Sequence, residues 1–441
     1  MIDNSSSANE ISAASPNERA QGADDADKVP AASWYALALL VLTVFFAYMD
    51  RIALSILVQP IKADLGLTDG QFGLLSGIAF AALYSTLGIP LARLADRGIR
   101  VKLIAACLVV WSIMTFSSGL ARNFSQLFLA RVGVGIGEAG CVPASHSLIG
   151  DLFPKRRRAL AVTIFQTGTA LGVSGGLFIV GTLGETLGWR YTLQAIGLVG
   201  VPLALLIVTT MPEPANRSMR SGNTETAFAA ISTLLKRGTF VHLVIGFSLG
   251  SICTFGISQW LPAFLIRSFG MGMAEVGAWV GLTSVASGIV GLIAGGLIVT
   301  RLAARDPRWE LWLPALAFLL VTPIFAVLFL SPYAWLAITL KFVANFASSI
   351  ATGVAIASVQ SLVEENRRAT AISIVMFLSS LMGMGFGPAA IGYLSDAFAP
   401  QFGSESLRYA LLASCLLPFW ASMHFFVAAR GVRKLHADKA D

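Results

Sequence analysis

Long, uniformly apolar runs separated by short polar breaks occupy most of the chain. They fall at about 34–60, 71–92, 101–121, 124–150, 158–184 and 189–211. After a longer polar interval they resume at about 240–267, 275–300, 311–330, 333–362, 368–396 and 406–430. A helix needs about 20 residues to cross ~30 Å of hydrocarbon, and each run supplies that length. Strands of a membrane barrel would be about ten residues long with alternating polarity, a pattern these runs lack. The pattern predicts an all-α membrane protein of twelve transmembrane helices.

The interval from Pro212 to Arg237 is rich in Ser, Asn, Thr and basic residues and divides the spans into six and six. The predicted organisation is therefore a tail over 1–33, a six-helix bundle over 34–211, a linker over 212–239, a second bundle over 240–430 and a tail over 431–441. Basic residues gather in alternate loops, as in Lys155-Arg156-Arg157-Arg158, and near the end at Arg430, Arg433 and Lys434. The positive-inside rule then places both termini in the cytoplasm, and a polytopic helical protein of this kind is expected in the inner (plasma) membrane. The first 33 residues hold no apolar stretch, so they predict a disordered tail and neither a signal peptide nor a transit helix.

Composition agrees with lipid as the solvent. Of 441 residues, 56% are hydrophobic and only 12% charged, with a mean hydropathy of +0.74, whereas soluble domains carry roughly a quarter charged residues. The net charge of +7 is accounted for by the loop clusters and does not call for a nucleic-acid partner. Cys107, Cys141, Cys253 and Cys415 are scattered singly inside spans, which suits packing and supplies no metal site. No cofactor is expected, and a monomer is.

Two familiar patterns lose their meaning in this setting. Gly172-Val-Ser174-Gly-Gly176 fits a nucleophile elbow and Gly135-Ile-Gly137-Glu-Ala-Gly140 a dinucleotide loop, but both lie inside spans without the strand-turn-helix context they require. The glycines read instead as close-packing surfaces: Gly168-xxx-Gly172 with Gly175-Gly176 in the fifth span, and Gly383-xxx-Gly387-Pro388 in the eleventh. With no nucleophile-base constellation and no nucleotide loop, the chain is not expected to be an enzyme.

Ionisable residues inside spans are costly and mark function unless partnered for structure alone. Asp50 and Arg51 sit in the outer-middle part of the first span and point roughly 100° apart, so each can face a different partner. A desolvated carboxylate holds a proton more readily than one in water, and a nearby guanidinium tunes that equilibrium. Glu138 lies near mid-span in the Gly-rich fourth helix, where it can exchange protons with Asp50 or compete for Arg51. Arg131, seven residues earlier on nearly the same face, serves either the cavity or helix packing. Lys341 either meets an anionic group or snorkels to the interface. His146, two turns from Glu138, either relays protons or packs. Further cavity candidates, chosen as polar or aromatic groups near mid-span, are Tyr84, Phe165, Gln166, Phe255, Gln259, Trp260, Asn345 and Gln360.

With these features in hand, the sequence resembles the major facilitator superfamily and, within it, the Spinster family. The superfamily's loop motif is matched by Ala92-Arg-Leu-Ala-Asp96-Arg97-Gly98-Ile-Arg100-Val-Lys102, with Ala92 in place of its first Gly. Spinster-like features are Tyr48-Met49-Asp50-Arg51, Gly135-Ile-Gly137-Glu138-Ala139, Asp151-Leu152-Phe153, and Arg368-Ala369-Thr370-Ala371 followed by Gly387-Pro388. The resemblance implies two pseudo-symmetric six-helix bundles. It gives Asp50 and Glu138 a proton-coupling role with Arg51 as electrostatic partner, and Asp96, Arg97 and Asp151 the role of a conformational latch. It further implies an amphipathic cargo of the lysophospholipid or sphingoid-phosphate type. The expected function is proton-coupled transport by alternating access, with small organic anions as the alternative cargo and a non-transporting membrane receptor as a distant one.

Overall fold

A computed structural model describes residues 29–95, 98–214, 227–364 and 367–440. Among these, ten helices are long and apolar enough to span a membrane. Two of the ten are double crossings. α8 (Lys155–Thr210) has 56 residues, about 84 Å of helix at ~1.5 Å per residue, far more than ~30 Å of hydrocarbon. It turns at Gly188, whose φ of 76° and ψ of 163° suit a residue without Cβ. The stretch Thr370–Val432 is 63 residues long and turns at Gly403, φ 54°. Twelve crossings result, as the apolar runs predict.

The first six crossings are built from α1 (Ala31–Ile56), α3 (Asp69–Ser76) continuing as α4 (Ile78–Ala95), α5 (Arg100–Ser118), α6 (Phe124–Glu138) continuing as α7 (Cys141–Leu152), and the two limbs of α8; a short α2 (Val58–Leu65) links the first two crossings. After α9 (Ala227–Leu235), the second six comprise α10 (Gly238–Phe269), α11 (Met273–Ala303), α12 (Trp309–Leu330) and α13 (Ala334–Leu362). α14 (Arg368–Ser379), a π-helical turn (Ser380–Phe386) and α15 (Gly387–Phe402) make the eleventh, and α16 (Ser406–Ser414) with α17 (Leu416–Ala440) the twelfth.

Glycine decides how closely these helices approach. A Cβ on Gly168, Gly172 or Gly176 of α8 would collide with Val44, Phe45 or Met49 of α1. In the second set, Gly383 and Gly387 bear in the same way on Ser251 and Ile252 of α10. The fifth span therefore lies against the first, and the eleventh against the seventh, through backbone-to-backbone contact.

Of three apolar clusters among the described residues, one is drawn mainly from residues up to Met211 and one entirely from Leu234 onward. The third joins them. It unites Leu54, Phe72, Leu75 and Val180 with Ile257, Trp260, Phe264 and Val276, all on the face opposite the termini. There a Cβ on Gly73 would sit 2.5 Å from the carbonyl oxygen of Pro388, and one on Gly181 2.5 Å from that of Met273. The molecule is thus sealed on that face.

Candidate functional site

Between the two sets of helices lies a cavity of about 770 Å³. Tyr48, Arg51, Phe80, Tyr84, Arg131 and His146 line one wall. Phe247, Ser251, Thr254, Phe255, Ser258, Gln259, Ser379, Ser380 and Met384 line the other. His146 and Ile356 carry the lining toward the face that bears the termini.

Successive residues on α1 diverge by about 100°, and Asp50 and Arg51 accordingly find different partners. Asp50 is paired with Arg131, whose Nη1 lies 3.4 Å from Oδ2. Arg51 donates through Nη2 to Oε2 of Glu138 at 2.6 Å. Arg131 and Glu138 are seven residues apart, two helical turns along one face of α6, so a single helix supplies both partners. Asp50, Arg131 and Glu138 are all but excluded from solvent, whereas the Arg51 side chain is 17% exposed, into the cavity.

Three rings hold the Arg51 guanidinium. Its Cζ lies 4.6 Å from the Tyr48 ring centre, 4.8 Å from that of Phe80 and 4.7 Å from that of Tyr84. Each such contact contributes about 0.5–2 kcal/mol when desolvated. Nε of Arg51, Nε of Arg131 and Oε1 of Glu138 are nonetheless buried without a hydrogen-bond partner. The two pairs leave hydrogen-bonding capacity unused, at a depth where each orphan group costs about 1–3 kcal/mol. Nε2 of Gln259, on the opposite wall, is also buried and unpartnered.

Of the candidates, Tyr84, Phe255, Gln259, His146 and Arg131 line the cavity. The remaining candidates do not. Phe165 is buried in the first-half core with its ring edge-on to His146. Trp260 is buried and donates Nε1–H to the Pro388 carbonyl at 2.8 Å within its own half, while its ring meets Phe72 of the first half edge-on. Gln166 and Gln360 are exposed but outside the cavity lining. Lys341 reaches α11 rather than the cavity, donating to the Val280 carbonyl and the Thr283 hydroxyl, both at 2.9 Å, and to Ser284 Oγ. Asn345 follows one turn along, donating to Ser287 Oγ at 2.7 Å. These misplacements share a cause: depth along a span is legible in sequence, but which side of a buried helix faces the cavity depends on its neighbours.

Asp96 and Arg97 lie outside the described residues. Asp151 pairs with Arg100 of the same half, and Glu213 accepts the Arg100 and Val101 N–H groups at 3.0 and 2.7 Å, capping α5. Sequence reasoning missed Glu213, and it missed Tyr48 and Phe80 as ring partners of Arg51. Tyr48, one turn before Arg51 on the same face, carried a usable signal; Phe80 carried none.

The comparisons with known proteins agree with this architecture. The family model of the Major Facilitator Superfamily matches residues 40–388. An "MFS-type efflux pump" of Mycolicibacterium smegmatis is 33% identical over 88% of this chain and 91% of its own. Spinster homolog 3 of Danio rerio is 28% identical over 88% of this chain and 82% of its own. The crystal structure of a bacterial homolog to the human lysosomal transporter Spinster, inward-facing and unoccupied, superposes with a TM-score of 0.85 at 29% identity, covering 92% of this chain and 99% of that one. The chain therefore belongs to the Major Facilitator Superfamily, as a Spinster-like, multi-pass membrane transporter of small molecules.

Proposed function

We propose that the protein is a proton-coupled secondary transporter of an amphipathic, lipid-like anion of the lysophospholipid or sphingoid-phosphate type, working by alternating access in the inner membrane with both termini in the cytoplasm. The observation that carries this reading is Arg51, a guanidinium shared between a buried carboxylate and a large cavity. Two arginines and two ionised carboxylates make the centre formally neutral. One proton on Glu138 removes the charge that holds Arg51 and leaves the centre with a net positive charge facing the cavity. An anionic headgroup then gains a partner, so proton and anion bind with positive linkage. Asp50 keeps Arg131 occupied and leaves Arg51 as the exchangeable cation.

The rest of the cavity suits the remainder of such a molecule. Phe247, Phe255, Phe80 and Met384 offer apolar surface for a chain, while Thr254, Ser258 and Gln259 offer neutral hydrogen-bonding groups across from Arg51. The basic cluster Lys155–Arg158 on the face of the termini supports the orientation.

Substrate-dependent pH change in proteoliposomes tests the reading, with lysolipids, sphingoid phosphates and small organic acids compared on wild type, Asp50→Asn and Glu138→Gln. Proton movement with a lipid-like anion, lost in either variant, is the expected result. Movement with small acids alone would transfer the reading to the alternative cargo. Saturable binding without proton movement for every compound would eliminate the coupling role of Asp50 and Glu138.

A further inference from the structure

The first amides of any helix lack intrahelical acceptors. α3, which opens the second span, places three of them on side chains: Gln71 N–H donates to Thr68 Oγ1 at 3.2 Å, Asp69 N–H to Asp396 Oδ1 at 2.9 Å, and Gly70 N–H to Asp396 Oδ2 at 2.8 Å. Asp396 belongs to α15, in the other half of the molecule. The second span of that half begins in a related way, because Ala274 N–H at the start of α11 donates to Glu185 Oε1 at 3.0 Å. Glu185 belongs to the first half, near the end of its fifth span. Asp396 lies near the end of the eleventh span, the fifth of its own half.

We infer that Asp396 and Glu185 form a pseudo-symmetric pair of latches, in which the fifth span of each half caps the second span of the other and holds the face opposite the termini shut. Both caps cross between halves, so both must break when that face opens. A carboxylate also meets the positive end of the helix macrodipole there. The Asp396 side is reinforced: Arg267 of α10 grips Asp69 with Nη1 and Nη2 at 2.7 and 2.6 Å, and Ser395 Oγ donates to Asp69 Oδ2 at 2.7 Å. The latches are unequal. Asp396 is half-buried and accepts two bonds, whereas Glu185 is exposed and accepts one, so water competes more effectively for it. They also differ from the latch implied for Asp96 and Arg97, which would act on the face of the termini and in the opposite state.

Cysteines introduced at Arg122 and Ser404, exposed on the sealed face in opposite halves, carry spin labels for distance measurement by double electron–electron resonance in lipid nanodiscs; the four native cysteines are buried. The ratio of open to closed populations should rise about tenfold in Asp396→Ala, about threefold in Glu185→Ala and about thirtyfold in the double variant, because separate caps on one state combine multiplicatively. From about 1% open, thirtyfold gives roughly a quarter open, readily resolved as a second distance. Asp396→Asn keeps one acceptor and should fall between wild type and Asp396→Ala, and it carries the test if the alanine variant does not fold. Asp64→Ala is the control, since Asp64 pairs with Arg190 inside one half. A double variant whose distances superimpose on wild type, or an equal opening in Asp64→Ala, overturns the inference. The measurement needs no substrate, so it stands apart from the identity of the cargo.

Discussion

Removing Asp50 should damage the fold more than removing Glu138, and the reason lies in what each leaves behind. Arg131 is almost completely buried, and Asp50 is its carboxylate partner. Asp50→Asn leaves that guanidinium charged and uncompensated, a change that costs about 3–5 kcal/mol in buried pairs. Glu138→Gln leaves Arg51, which retains three aromatic rings and an opening to the cavity. Because that charge keeps partial solvation through the cavity, the loss should be nearer about 1–2 kcal/mol. The pair itself contributes little net stability. At 3.4 Å the contact is loose, Arg131 Nε is unpartnered, and desolvation of two ions exceeds what such a contact returns. Replacing both partners, as Asp50→Asn with Arg131→Met, should therefore recover most of the loss while abolishing substrate-driven proton uptake. Thermal unfolding of the detergent-solubilised protein, followed by tryptophan fluorescence at one scan rate, reads the order: wild type, double variant and Glu138→Gln above Asp50→Asn. The reasoning fails if Asp50→Asn melts with wild type, or if the double variant melts as low as the sum of its single changes.

Three further outcomes follow from the same geometry. Tyr84→Leu removes one ring from the Arg51 cage and should weaken binding of lysophosphatidate about 3- to 30-fold, corresponding to about 0.5–2 kcal/mol; a neutral monoacylglycerol, titrated calorimetrically, should be unaffected. Gly172→Ala sets a Cβ 2.5 Å from the Phe45 carbonyl oxygen and should destabilise the protein by about 1–3 kcal/mol as spans one and five are forced apart, visible as a lower melting temperature. Arg237 beside Glu364 holds that carboxyl below its ordinary value of 4.5. Because the folded-state value is the lower one, the stabilisation is present above the unfolded value and is lost as pH falls through the folded one. The melting-temperature difference between wild type and Arg237→Ala should therefore be small, since Glu364 is 41% exposed, and should shrink and vanish as acidification takes the pH from above 4.5 down through the folded-state value.

Twelve crossings, the superfamily and the presence of Asp50, Arg51 and Glu138 as charges inside spans are legible in the chain alone. Span length is a one-dimensional requirement of the bilayer, and a charge inside an apolar run stands out by its cost, so both are written in local sequence. Partner choice was not. That Arg131 takes Asp50 and leaves Arg51 to Glu138 depends on how α1 and α6 are rotated toward each other, and the same rotation problem turned Lys341 and Asn345 toward α11 instead of the cavity. The latch carboxylates Asp396 and Glu185 sit at helix ends, where a charge costs little and attracts no notice in a sequence. Only the docking of the two halves brings Asp396 to the amides of Asp69 and Gly70, 327 and 326 positions away. The sequence by itself determined the membrane, the count of helices and the charges that must be neutralised inside it. The tertiary structure decided which charge neutralises which, because helix rotation and the packing of glycine faces between distant segments are set by contacts that no local pattern encodes.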